Sequence, residues 1–172
     1  MNNHSTWVIL VTIIFANVIL VPAQTSNEEI KTGKLLKRQK ENGVDNYAYA
    51  AYSFRFSGNG PEIQQLCHNN WELLFGNSPL SDAFDVTMVT DDRSRIKDLG
   101  RYTWGEKFDI PRLPAYEEPE REPSVKAIEW HMYLVHSRDA DTDLYTLFRV
   151  EHLMTGESVE ISWKLIAPPQ RR

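Results

Sequence analysis

Cysteine is almost missing from this chain: Cys67 is the only one in 172 residues, so no internal disulfide can form. Small extracellular animal domains usually carry several such staples, so a single thiol fits an exported bacterial-envelope domain better, or a cytoplasmic one. An excess of basic charge is missing too. The formal net charge is −5, which argues against nucleic acid as a partner, because phosphate backbones require a cationic footprint. The only local basic stretch, Lys31 to Lys40, has no aromatic residue interleaved with it and reads as a solvated arm. The sequence contains no Gly-x-Ser-x-Gly, no glycine-rich phosphate loop and no cysteine pair for zinc. These absences remove the common local signatures of hydrolases, nucleotide binders and zinc sites. They do not exclude an enzyme whose residues converge from distant segments.

What the chain does have, at its start, is an uncharged run from Trp7 to Val21, followed by Pro22 and Ala23. Roughly 15 apolar residues closed by Val21-x-Ala23 match the apolar region and small-residue ending of a signal peptide, whereas a membrane-spanning helix needs about 20. Residues 1–23 therefore read as a signal peptide cut after Ala23, and the product as exported: periplasmic, on the cell surface or secreted. The segment before Trp7 lacks Lys and Arg, and Lys31, Lys34, Lys37, Arg38 and Lys40 follow the run. That asymmetry keeps an uncleaved anchor as the alternative, with the domain then on the cytoplasmic side and touching membrane only through this segment.

Residues 24–46 are polar and broken by Thr32-Gly33 and Asn42-Gly43, and they read as a flexible tether. A single domain is expected over 47–172. Tyr47–Phe56 has strand composition, with Tyr52, Phe54 and Phe56 on one face. Pro61 can open a helix, and Ile63, Leu66, Cys67, Trp71, Leu74 and Phe75 recur at helical spacing before Gly76. Cys67 then lies on an apolar face as a small buried hydrophobe. Phe84–Val89 alternates as a strand should. Residues 91–123, with Pro111, Pro114, Pro119 and Pro123, form a long irregular stretch too apolar at Trp104, Phe108, Ile110, Leu113 and Tyr116 to be a free linker. It is expected to pack across the sheet, with a more mobile acidic portion at Glu117–Glu122.

The last third carries three strand-like runs, Val125–Ser137, Leu144–His152 and Ser158–Ile166. A two-residue Thr155-Gly156 turn sets Phe148 opposite Trp163 and His152 opposite Val159, and a loop centred near Ala140 sets Trp130 opposite Val150 and Met132 opposite Phe148. Both registers predict one shared apolar face: Ile128, Trp130, Met132, Leu134, Phe148, Val150, Val159, Ile161, Trp163 and Leu165. The fold class read from this pattern is α+β: an antiparallel sheet of about five strands with a C-terminal three-stranded meander. One main helix, from Pro61 to Phe75, covers its apolar face.

The same registers line up Glu129, Glu151 and Glu160 on the opposite face, beside His131, Arg149 and Ser162. Adjacent carboxylates repel unless a cation joins them, and a glutamate beside His131 suits acid–base chemistry. The plainer expectation is a wet outer face, as antiparallel sheets commonly have. Asp139, Asp141 and Asp143 open like a calcium loop, but Leu144 and Val150 stand where an EF-hand needs Gly and Glu, so only a looser calcium site remains. His131, His136 and His152 do not converge on one face and give no metal cluster. Tyr47, Tyr49 and Trp104 could form an aromatic platform for sugar or peptide.

The function expected from these readings is non-enzymatic binding of a protein or cell-envelope component, with the 91–123 stretch as its surface and no cofactor. The first alternative is a carboxylate-based hydrolase or lyase using Glu129, His131, Arg149, Glu151 and Glu160. The second is a calcium-stabilised adhesion or assembly module.

Overall fold

The computed structural model describes residues 29–41, 43–77, 82–86, 93–111, 113, 124–139 and 142–169. The signal-peptide reading of 1–23, the acidic portion at Glu117–Glu122 and the end of the strand read at Phe84–Val89 lie outside them. The strands in chain order are β1 (Lys31–Leu36), β2 (Lys40–Glu41), β3 (Val44–Asp45), β4 (Ala51–Tyr52), β5 (Leu73–Phe75), β6 (Ala83–Asp85), β7 (Arg95–Arg101), β8 (Ser124–Lys126), β9 (His131–Arg138), β10 (Asp143–Met154) and β11 (Ser158–Ile166). Among the described residues the helices are α1 (Tyr47–Ala50) and α2 (Pro61–Cys67), both short. The fold is mostly β, built on antiparallel sheets with little helix. Among the described residues no helix is long and apolar enough to cross a membrane.

A five-stranded sheet, β1-β11-β10-β9-β7, faces a four-stranded sheet, β4-β5-β6-β8. Between them lies an aromatic core of Tyr52, Phe54, Phe75, Phe84, Tyr133, Phe148 and Trp163. Phe54 packs against Trp163 with ring centroids 5.2 Å apart, and Phe148 against Tyr133 at 4.9 Å. The residues of alternate parity point the other way. Ala51 and Leu74 meet Ala50, Cys67 and Trp71 behind the small sheet, where α1 and α2 pack. Met132, Leu134, Tyr145 and Leu147 meet Leu113 behind the large one, with Tyr102, Trp104, Phe108 and Ile110 packed around them. Among the described residues the result is four layers: helices, small sheet, large sheet, and a strap over 102–111 and 113.

Four expectations are corrected by this architecture. The tether reading of 24–46 fails over Lys31–Leu36, which pairs with β11 along its whole length, Leu35 opposite Val159 and Lys31 opposite Trp163. Only Leu35 of this strand is buried. Its partner is the aromatic core, and it draws the domain boundary back from residue 47 to residue 31. The outward carbonyls of this edge strand are occupied: Lys34 O accepts from Asn59 Nδ2 at 2.7 Å and Thr32 O from the Tyr52 hydroxyl at 3.3 Å. Gly33 is required here, because a Cβ would stand 2.5 Å from the Tyr52 ring.

The strand read at Tyr47–Phe56 is a helical turn followed by only two paired residues, because Ser53 and Gly58 close a tight loop around Phe54–Ser57. The helix read from Pro61 to Phe75 stops at Cys67. His68 and Asn69 turn left-handed with φ of 51° and 65°, and Leu73–Phe75 pairs as a buried strand instead. The helix therefore does not cover the meander; the second sheet does. Within 91–123, Arg95–Arg101 is a strand paired with β9, while the expected packing of an irregular segment over the sheet holds for the strap.

The meander exists, with one register as expected and one shifted. Phe148 does lie opposite Trp163, though by cancellation: the turn holds three residues, and a bulge at Glu151 absorbs the extra one, leaving His152 opposite Glu160. The first hairpin is displaced by one residue, so Tyr133 faces Phe148 and Leu134 faces Leu147. A one-residue shift exchanges the two faces of a strand. Met132 and Leu134 accordingly leave the predicted apolar face for the strap side. Trp130 leaves it too, sitting in a turn at φ 69° with Arg149 stacked on its ring at 4.9 Å, while Trp163 is fully buried between the sheets.

Candidate functional site

The outer face of the large sheet is half covered and half open. Pairing puts Leu36, Ser158 and Met154 in one row across β1, β11 and β10, and Lys34, Glu160 and His152 in the next. The strap closes over the rows beyond, where Trp104 Nε1 donates to Ser162 Oγ at 2.6 Å. Ser162 Oγ in turn donates to Glu151 Oε1, and Arg149 Nη1 donates to Glu151 Oε2. Arg149 Nε donates to Tyr102 O at 2.9 Å, holding the start of the strap. Lys164 Nζ lies over the Trp104 ring at 5.6 Å. A continuous chain of indole, hydroxyl, carboxylate and guanidinium thus seams strap to sheet. Charge-assisted bonds of this kind are stronger than neutral ones.

Beyond that seam the face opens. A hollow of about 280 Å³ is lined by Thr32, Gly33, Lys34, Glu151, Glu160 and Ile161. It adjoins, through Glu160, a second of about 250 Å³ lined by Glu129, His152, Leu153, Met154, Ser158 and Glu160. The predicted glutamates thus border one open surface, though not as a row. Glu151 is the bulge residue, turned to Arg149 and Ser162. Glu160 pairs with Lys34 at 3.0 Å, and Glu129 accepts from Leu153 N–H at 3.2 Å with His152 Nδ1 at 3.7 Å. Arg149 does pair with Ser162 across the strands as read. Met132 stands opposite it in place of His131, which the shifted register sends to the other face, where its Nδ1 lies 2.9 Å from Asp98 Oδ2.

The aromatic platform is not assembled. Tyr47 packs edge-on to Trp71 in the helix layer, Tyr49 is exposed near Gly60, and Trp104 belongs to the strap on the far side of the molecule. Of the aspartates proposed for calcium, Asp143 Oδ1 lies 2.8 Å from His136 Nε2, Asp139 N–H donates to Thr142 O at 3.0 Å, and Asp141 lies outside the described residues. Cys67 is enclosed, and burial pushes its thiol up from the ordinary range.

One functional-looking group was not singled out from the sequence. Glu72 is 2% exposed, and burial raises its carboxyl above the ordinary value against the opposing pull of Ser53 and Arg55. Its Oε2 accepts Phe54 N–H at 2.7 Å, and Oε1 lies 3.9 Å from Arg55 Nε. It therefore pins the Phe54–Ser57 loop, which carries Phe54 into the core. Nothing in the local sequence distinguishes it from a surface glutamate. No family model, curated protein or solved structure matches the chain.

Proposed function

We propose that this protein is an exported, non-enzymatic binding domain that docks a protein of the cell envelope on the open half of its outer sheet face. The observation that carries this reading is the state of the carboxylates there. Each is tied to a neighbour: Glu151 to Arg149 and Ser162, Glu160 to Lys34, Glu129 to the Leu153 amide. These side chains thus serve the architecture: Glu151 fixes the strap, Glu160 pairs with β1 and Glu129 holds the end of β10. Beside them stand exposed apolar side chains, Met154 at 53% and Leu36 at 40%. Apolar contacts rimmed by polar groups are the composition of a docking patch.

A photo-crosslinking residue at position 154, with a control at exposed Leu66 on α2, tests this in the source cells. A discrete adduct from 154 alone, lost in Glu160→Lys, is expected. Equal labelling from both positions, or none, would refute the reading.

A further inference from the structure

Two of the strap's attachments to the large sheet converge on one carboxylate. Trp104 Nε1 donates to Ser162 Oγ at 2.6 Å, and Ser162 Oγ donates to Glu151 Oε1. Arg149 donates from Nη1 to Glu151 Oε2 and from Nε to Tyr102 O at 2.9 Å. Glu151 also lines the open hollow with Lys34 and Glu160, so this junction is reached from the surface. The strap meanwhile has a structure of its own. Thr103 N–H donates to Glu106 Oε2 at 2.7 Å, Glu106 N–H donates to Thr103 O at 3.2 Å, and the Tyr102 and Phe108 rings stack with centroids 4.5 Å apart. Its apolar contacts with Met132, Leu134, Tyr145 and Leu147 form a cluster separate from the aromatic core between the sheets. Leu113 is buried in that cluster, whereas Tyr102, Trp104, Phe108 and Ile110 are only partly so.

We infer that the strap is a latched cover, with Glu151 as its latch: it lifts as a unit while the two-sheet core stays closed, uncovering Met132, Leu134, Tyr145 and Leu147. An element with its own internal bonds and its own cluster, and with few enclosed side chains, opens at a lower free energy than the whole domain. Nothing in the aromatic core depends on it, because the strap packs on the opposite face of the large sheet. Glu151 sets the balance because Ser162 and Arg149 are each oriented by it and each hold one strap anchor. Such a network loses more than one bond when its shared member is changed, and bonds to a charged group are its strong ones. Lifting joins the covered half of the outer face to the open half. The inference does not depend on a partner docking there, since opening is a property of the free chain.

The test follows thiol labelling in protein purified from the cells that make it, in a Cys67→Ala background that leaves one reporter thiol. Met132→Cys places the reporter under the strap, and Val159→Cys places it in the aromatic core; both positions are fully enclosed. Iodoacetamide should modify position 132 at least tenfold faster than 159. The rate at 132 should change little in low urea while the rate at 159 climbs steeply, because local opening exposes less surface than unfolding. Glu151→Gln should raise the rate at 132 about tenfold and keep its shallow urea dependence. Trp104→Phe, which removes the indole donor and keeps a ring, should raise it severalfold, and this decides the latch if Glu151→Gln fails to fold. Equal rates at 132 and 159 with one shared urea slope would overturn the inference, since the face would then be uncovered only by unfolding. A rate at 132 that neither variant raises would overturn it too.

Discussion

Replacing Leu35 by Ala asks whether β1 belongs to the fold or is tether. Leu35 is fully buried in the aromatic core, and Leu36, its neighbour, is 40% exposed on the outer face. Truncating an enclosed leucine removes its transfer free energy and leaves a cavity, and such changes cost about 2–5 kcal/mol. The core around Leu35 is built of large rings that cannot easily collapse inward, so about 3 kcal/mol is the expected loss. With a urea slope of about 2 kcal/mol per molar, the midpoint should fall by roughly 1.5 M. Leu36→Ala should stay within about 0.5 kcal/mol, as surface changes do. Urea titration of both variants, followed by tryptophan fluorescence, gives the answer because Trp163 lies opposite Lys31 in the same strand pair. Equal small shifts for Leu35→Ala and Leu36→Ala would refute the pairing of β1 and return Lys31–Leu36 to the status of a linker.

Further outcomes follow from individual contacts. Ser162→Ala removes both the acceptor for Trp104 Nε1 and a donor to Glu151, and should cost about 1–3 kcal/mol with a red shift of Trp104 emission. Glu72 has a raised carboxyl, so the stability it confers is complete below the ordinary value of 4.5 and declines as pH rises through the folded value. Glu72→Gln should flatten that decline in melts taken across the acidic and neutral range, and an unchanged slope would count against the burial argument. Asn59→Ala frees the Lys34 carbonyl on the β1 edge and should lower stability by about 1 kcal/mol, with more self-association on light scattering. Adding a calcium chelator should leave the melting temperature unchanged. A fall would revive the module built on Asp139, Asp141 and Asp143.

Legibility from sequence followed the physics of each element. The two long hairpins announce themselves through β-branched and aromatic runs, whereas Phe148 meets Trp163 because the bulge at Glu151 cancels the third residue of the turn. The shifted hairpin could not, because β9 is apolar on both faces: Met132 and Leu134 serve the strap while Tyr133 and Val135 serve the core. Alternation fixes register only when one face is wet. Lys31–Leu36 looks like a tether because an edge strand needs just one buried residue and keeps lysines on its wet side. The run from Ile63 to Phe75 kept helical spacing by coincidence. The break is backbone, at His68 and Asn69, and either residue tolerates a left-handed turn. Arg149 lies opposite Ser162 through the same cancellation, and the bulge at Glu151, which delivers that carboxylate to both, has no sequence signature.

Backbone NOEs in uniformly labelled protein probe the sandwich at its most discriminating point, the pairing of β9 with β10. Cross-strand contacts joining Tyr133 to Phe148 and Leu134 to Leu147 are predicted, with Leu35 joined to Val159 on the far edge. Contacts joining Met132 to Phe148 instead would turn β9 over, empty the core of Tyr133 and contradict the layered arrangement from which both proposals are drawn.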